Sequence, residues 1–296
     1  VTDTQGNSHA CTDVKYDSET GLPIHYWWED YFEMIYPDED DVAEDDEKNN
    51  LTKYDNTSKF VKKVTPFINF LKWITDCKNN YSVETNWWQA GTYSSTQEAF
   101  EATAHNHLDL YKVAAYYIFF LRFGLVDSVE RNAQLKTYDG QHWHYEAWDM
   151  DIALGNTNQG QLILDPPLTR ESLEPGTTTY AFSGKSLGTS NVLWDCLENW
   201  DYWANTLVPE VAQALYNAGL TYDNIVKVFD KDYAEKWSET MFNNSGHFKY
   251  IENGGSDWLA WLQGSRTSHR HWWISTSMNY YDAKWFCGDY KNHFIY

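Results

Sequence analysis

The sequence is short of positive charge. Among 296 residues, 22 Lys and Arg face 43 Asp and Glu, giving a formal charge of −21 at pH 7. A chain this acidic repels nucleic-acid phosphates and anionic lipid headgroups, which argues against DNA, RNA or a charged membrane surface as partner. Long apolar runs are missing too. The longest, around residues 113–123, is interrupted by Arg122 and is too short to span a bilayer. Cysteine is sparse. Cys11, Cys77, Cys196 and Cys287 lie far apart with no C-x-x-C pair. That spacing does not suit a zinc site, and a chain of this size needs no disulfide framework. The four are expected as small, buried apolar residues. There is no internal repeat and no clear linker. The chain opens Val-Thr-Asp-Thr, without a visible secretion signal, and closes on Phe294-Ile295-Tyr296. It reads as a piece of a longer protein.

Aromatic residues are abundant: 18% of the chain, with 16 Trp and 22 Tyr. That excludes a disordered acidic tail, which carries few aromatics. Residues 1–25 are polar and read as an irregular N-terminal segment, with one domain expected over 26–296. Trp27, Trp28, Tyr31, Phe32, Ile35 and Tyr36 recur at helical spacing and predict a short helix ending before Pro37. Residues 38–47 hold eight acids. They read as a solvated loop; a calcium site is the sharper alternative, but the run lacks the glycine such loops turn on.

A helix is predicted over residues 59–77, with Phe60, Val64, Phe67, Ile68, Leu71 and Ile74 on one face and Pro66 in its early part or at a kink. Residues 79–96 read as a loop. Ser95 or Thr96 offers a cap for one or two helices over 97–126. The stretch 108–123 is apolar nearly all round and predicts a buried central helix. The period then changes. Ala133–Thr137, the Asp139-Gly140 pair and His142–Trp148 read as a β-hairpin. Residues 155–190 read as a long loop. The part from 191 to 290 reads as helical, with helices over 191–218 (bent at Pro209), 222–241, 247–262 and 266–286. Thr221 with Asn224 offers a cap. The fold class that follows is α+β, mainly α, with a central β-hairpin.

One constellation could carry chemistry. Asp127 and Asn132 follow the central helix, five residues apart, which is the Asp-to-Asn offset of a kinase catalytic loop. The hairpin then leads to Asp149 and Asp151. On a continuing strand, residues two apart face the same side, so both carboxylates could face one ion. Phosphoryl transfer gathers negative charge, and metal ions held by carboxylates and an amide offset it. The plain alternatives are a helix-terminal loop residue for Asp127, a turn residue for Asn132, and a turn closing the hairpin for Asp149 and Asp151.

The segments "YKVAAYYIFFLRFGLVD", "VDSVERN", "YDGQHWHYEAWDMDIALG" and "NTNQGQL" resemble the spore-coat CotH kinase family, an atypical protein-kinase-like fold. The likeness is good over residues 98–165 and loose over 27–290. "SNVLWDCLENW", "WLAWLQGSR" and "HWWISTSMNYYDAKWFCGDY" extend it towards CotH-like domains in structural proteins of tailed phages, including crAss-like phages. The resemblance implies the large lobe of such a kinase. By it, Asp127 is the catalytic base, Arg131 a phosphate contact, and Asn132, Asp149 and Asp151 the metal ligands. Arg131 stands where similar phage sequences carry Lys. No Gly-rich loop precedes Asp127: Gly6, Gly21 and Gly91 are isolated.

The function the resemblance implies is that of a structural virion protein in the tail or muzzle region. It would be assembled in the bacterial host cytoplasm, pack among other virion subunits in a multimer, and contact neither nucleic acid nor a membrane core. Two alternatives stay open. One is an active kinase using ATP with Mg2+ or Mn2+ to phosphorylate protein Ser or Thr. The other is a glycan-binding module built on the Trp pairs 27–28, 87–88 and 272–273. Two smaller features complete the reading. His142 and His144 alternate on the expected strand and could share a metal, or lie on a hairpin surface. Arg266, His269, Arg270 and His271 form a basic cluster suited to salt bridges.

Overall fold

The computed structural model describes residues 9–10, 12–30, 58–79, 82–83, 91–93, 95–125, 133–148, 192–228 and 275. The described chain is mainly helical, with three small two-stranded pairs. It divides into two units, Val1–Leu108 with Thr137–Trp143, and Asp109–Lys136 with His144–Tyr296.

The first unit begins with a finding the sequence reading missed. Within residues 1–25, expected to be irregular, strands β1 (Val14–Tyr16) and β2 (Pro23–Tyr26) pair antiparallel, Val14 opposite Tyr26. Asp17 makes the turn. Its Oδ1 accepts from the backbone N–H groups of Glu19 and Thr20 and from the Thr20 hydroxyl. Those bonds, led by the Thr20 N–H, hold its carboxyl below the usual range. Gly21 follows at φ 68°, a left-handed conformation that favours glycine. A 3-10 turn over Trp27–Asp30 comes next, where a longer helix was expected. The remainder of that prediction lies outside the described residues.

Helix α1 (Lys59–Asn79) forms as predicted, and Pro66 sits inside it. Ser58 caps it by accepting from the Val61 N–H at 3.0 Å. The face differs from expectation. Phe60 and Val64 are buried, but further along the buried set is Phe70, Trp73 and Cys77, with Ile68 and Leu71 only half-buried. Trp73 decides this. Its ring is 1% exposed, stacks on Phe100 at 5.4 Å, and its indole N–H donates to Thr103 Oγ1 at 2.9 Å. A large ring that also needs a hydrogen-bond acceptor sets the face more strongly than the aliphatic side chains do.

The loop expected over 79–96 contains a short antiparallel pair, β3 (Ser82–Val83) and β4 (Gly91–Thr92). Helix α2 (Thr96–Thr103) then starts on the predicted cap, with Ser95 Oγ accepting from the Glu98 N–H. One aromatic row runs through this unit. Trp28 meets Phe67 edge-on at 5.3 Å; Phe67 and Phe70 flank Trp143; Phe70 meets Trp73.

The second unit is built on helix α3 (Leu110–Phe123), the predicted central helix. Asp109 caps its start by accepting from the Lys112 N–H at 3.2 Å. Its end is a Schellman motif. Gly124, at φ 58°, donates to Leu121 O, and Leu125 donates to Phe120 O. Leu125 and Phe120 are both buried, as the motif's hydrophobic contact requires. Arg122, which interrupts the apolar run, is buried and donates from Nη1 to Leu220 O at 3.3 Å.

Strands β5 (Ala133–Thr137) and β6 (Trp143–Ala147) pair as predicted. Five residues join them, too few for a parallel crossover, so the pair is a hairpin. The single helix expected over 191–218 is in fact broken. Helix α4 (Val192–Glu198) stops at Asn199, whose side chain bonds back to Asp195 O. A π-helical turn (Trp203–Leu207) leads into helix α5 (Val208–Asn217), with Pro209 in its first turn. Proline lacks an N–H, and the first turn of a helix tolerates that loss. The bend predicted at Pro209 is therefore an interruption before it. Residues 222–228 are helical, and Thr221 Oγ1 accepts from Asn224 N, as expected. The rest of the helix predicted over 222–241, all of that over 247–262, and all but residue 275 of that over 266–286 lie outside the described residues.

The core of this unit is a ring cluster. Trp194, 0% exposed, stacks on Tyr145 at 5.1 Å and touches Tyr117 and Phe120. Tyr116 stacks on Tyr145 at 5.2 Å, and Trp203 meets Tyr117 edge-on. Tyr117 places its hydroxyl on Glu198 Oε1 at 2.8 Å, so the polar tip is satisfied. Cys77 and Cys196 are buried and in no disulfide, as the sequence predicts; Cys11 and Cys287 lie outside the described residues. No described helix is long and apolar enough to cross a membrane.

Candidate functional site

The five predicted site residues, Asp127, Arg131, Asn132, Asp149 and Asp151, all lie outside the described residues. What is described is the frame around them. The frame starts at the Schellman end of α3, Gly124–Leu125, resumes at β5 with Ala133, and runs through β6 to Trp148. Trp148 is 55% exposed.

The turn of the hairpin is tightly specified. Asp139 Oδ1 accepts from the Gln141 and His142 N–H groups and the Thr137 hydroxyl, and Oδ2 lies 2.6 Å from His142 Nδ1. The His142 hydrogen bond, followed by those of the backbone N–H groups, pushes the Asp139 carboxyl far below its ordinary value. Gly140 takes φ 77°, and the Cβ of any other residue there would sit 3.6 Å from the Pro66 ring. The Gln141 amide donates to Asn106 O, and Trp143 N–H donates to His107 O at 2.8 Å.

His142 and His144 do not form a pair. His142 lies in the turn, before β6 begins, and is held by Asp139. His144 is in the strand, buried, with Nε2 3.8 Å from Glu146 Oε1. Among the described residues, no group of three His, Cys, Asp or Glu is placed to hold a metal.

His144 instead belongs to a polar cluster that the sequence reading did not anticipate. Lys112 Nζ meets Asp109 Oδ2 at 3.0 Å, and Lys136 Nζ meets both Glu146 carboxylate oxygens at 3.0 Å. Burial, reinforced by Lys112, pushes His144 down; Asp109 and Glu146 oppose it. Burial pushes Asp109 up, but hydrogen bonds and charge from Lys112 outweigh that and hold it below its usual range. Two cations thus face two carboxylates beside an imidazole held neutral. Among the described residues the cluster is an ion-pair network. Three separate stretches of chain supply it. Only the i, i+3 spacing of Asp109 and Lys112 gave a local signal.

His107 is the most perturbed group described. It is 1% exposed and stacks on Trp73 at 4.4 Å. Burial, then the positive charges of His142 and His105, lower its pKa from 6.5 to about 3. It is a neutral core residue at physiological pH.

The Trp27–Trp28 pair is buried, and Trp27 is sandwiched by His9, stacked at 4.2 Å, and the Lys15 ammonium at 4.7 Å. It offers no flat platform to a sugar. The pairs 87–88 and 272–273, the acidic run 38–47 and the basic cluster at 266–271 lie outside the described residues. No family model, no curated protein and no solved structure matches this chain.

Proposed function

We propose that the chain is a structural component of a tailed-phage virion, in the tail or muzzle region, using a CotH kinase-like large lobe as a rigid scaffold among other virion subunits. The observation that carries the scaffold half of this reading is the setting of the described lysines ahead of Asp127: Lys15, the one on a strand, has its ammonium over the Trp27 ring at 4.7 Å. Lys62, Lys63 and Lys72 all lie on helix α1, whereas a kinase phosphate-contacting lysine sits on a strand beneath a Gly-rich cover. No such cover occurs before Asp127 in the sequence. The small lobe is then missing, on another segment or degenerate, and a lobe whose clamp is lost keeps its shape without its chemistry. The order of a buried helix, a stretch holding Asp127 and Asn132, a hairpin, then Asp149 and Asp151 supports the kinase-like ancestry. Dense aromatic packing suits a part whose task is to hold form within large interfaces.

The active-kinase reading rests on the same five residues. Asp127 would take the substrate proton, Arg131 would contact phosphate, and Asn132, Asp149 and Asp151 would hold Mg2+ or Mn2+ with ATP. Incubating the chain with labelled ATP and either metal separates the two readings. The scaffold reading expects no transfer above that of Asp127→Asn and Asp149→Asn controls. Transfer that both substitutions abolish would overturn it. For the virion half, mass spectrometry of purified phage particles should find this chain at fixed stoichiometry with tail proteins. Its absence from particles would sink that assignment.

A further inference from the structure

The second unit exposes a patch that its core does not use. Tyr111, in the first turn of α3, is 54% exposed, and its hydroxyl donates to Glu210 Oε1 in the first turn of α5 at 3.3 Å. Tyr202, 42% exposed, lies near Tyr111, and its ring stands 5.4 Å from Trp200. Asp201 beside it is exposed. Residues 192–226 carry five acids and not one Lys or Arg. Lys112, next to Tyr111 in sequence, is engaged by Asp109 at 3.0 Å. Among the described residues, two exposed tyrosines, a half-buried tryptophan and the Glu210 carboxylate therefore lie together, with the exposed Asp201 between Trp200 and Tyr202 in sequence.

We propose that this acidic, aromatic surface is a docking site for an arginine-bearing basic segment of a protein partner. A guanidinium stacks flat on Tyr and Trp faces while its N–H fork meets a carboxylate, a combination that a lysine ammonium cannot reproduce. Tyr and Trp are also the residues that anchor protein interfaces. The net charge of −21 draws a basic partner towards the chain and repels an acidic one. The surface belongs to this unit alone and would serve whether or not the chain is part of a virion.

Calorimetric titration of the full chain with a synthetic Arg-Gly repeat peptide, and with its Lys-Gly counterpart of equal charge, tests this. The Arg peptide should bind at one site and about tenfold more tightly than the Lys peptide, the equivalent of one or two cation–π contacts. The Tyr111→Ala/Tyr202→Ala double variant should lose that tenfold advantage, with thermal unfolding unchanged because both rings are exposed. Equal binding of the two peptides would overturn the proposal. So would Arg-peptide binding that the double variant leaves intact, since attraction would then come from the diffuse negative field of the chain.

Discussion

The two units solve the same problem, packing many large rings, in opposite ways. The first strings its aromatics in a row, from Trp28 through Phe67, Trp143 and Phe70 to Trp73, with His107 stacked at the end. The second sets Tyr117, Phe120 and Tyr145 around one hub, Trp194, with Tyr116 stacked on Tyr145 and Trp203 edge-on to Tyr117. Along the row Phe67 and Phe70 each touch three other rings, so the loss of one leaves its neighbours still in contact with another ring. The hub joins separate elements: Trp194, on α4, touches two rings of α3 and one of β6. The row also admits a buried ionisable group at its end, His107, which makes the first unit sensitive to acid.

The sharpest way to break this comparison is Trp194→Ala. Removing the hub should destabilise the second unit by about 3–5 kcal/mol, seen as a lower urea midpoint. A loss no larger than that of Phe67→Ala, which removes one half-buried link of the row, would show that the hub is not special. Next comes acid. The His107 pKa is depressed from 6.5 to about 3 in the folded state, so the unfolded chain takes up the proton first. Its contribution to stability is intact above pH 6.5 and is lost as pH falls towards 3. His107→Gln should flatten the fall in stability between pH 6.5 and 4 relative to the unaltered chain, measured by denaturant unfolding at each pH. Identical slopes would show that the imidazole is not held neutral.

Smaller effects probe the ends of α3, the helix that carries the hub's partners. Gly124→Ala forces a side chain into a left-handed conformation at φ 58° and should cost about 1–2 kcal/mol. Asp109→Ala removes the cap and the Lys112 partner and should cost about 1 kcal/mol. Thermal melts rank the two; a neutral Gly124→Ala would mean that the helix end is not fixed as described. Least of all, Asp139→Asn weakens the hairpin turn by less than about 1 kcal/mol, because that carboxylate is exposed to water.

How much of this was legible in the sequence varies with how local each signal was. Helix α3 was, because residues 108–123 are apolar nearly all round. The hairpin was, because Asp139 and Gly140 are adjacent. The first hairpin was not: Asp17 and Gly21 do the same work, but Ser18, Glu19 and Thr20 separate them and polar residues flank them. The face of α1 was misread because Trp73 was not weighed against the aliphatic stripe. The break after Glu198 was hidden because neither Gly nor Pro marks it. The polar cluster around His144 draws on three stretches of chain, so no window of sequence contains it. For the catalytic reading, only the frame is visible. The described chain stops at Leu125, restarts at Ala133 and stops again at Trp148, short of every residue predicted to do chemistry.

The Asp139-Gly140 turn also bears on how the protein ages. Asp-Gly is the dipeptide most prone to cyclise, when the glycine nitrogen attacks the side-chain carbonyl carbon to give a succinimide and then isoaspartate. Here the Gly140 N–H is committed to Thr137 Oγ1 at 2.9 Å, and the Asp139 carboxylate is kept ionised and pinned by its donors. An ionised carboxylate is a poor target for that attack, so the folded turn shields a bond that the unfolded chain leaves open to damage. Isoaspartate at this position would therefore accumulate only in molecules that have spent time unfolded, leaving a chemical record of misfolding in a stored sample.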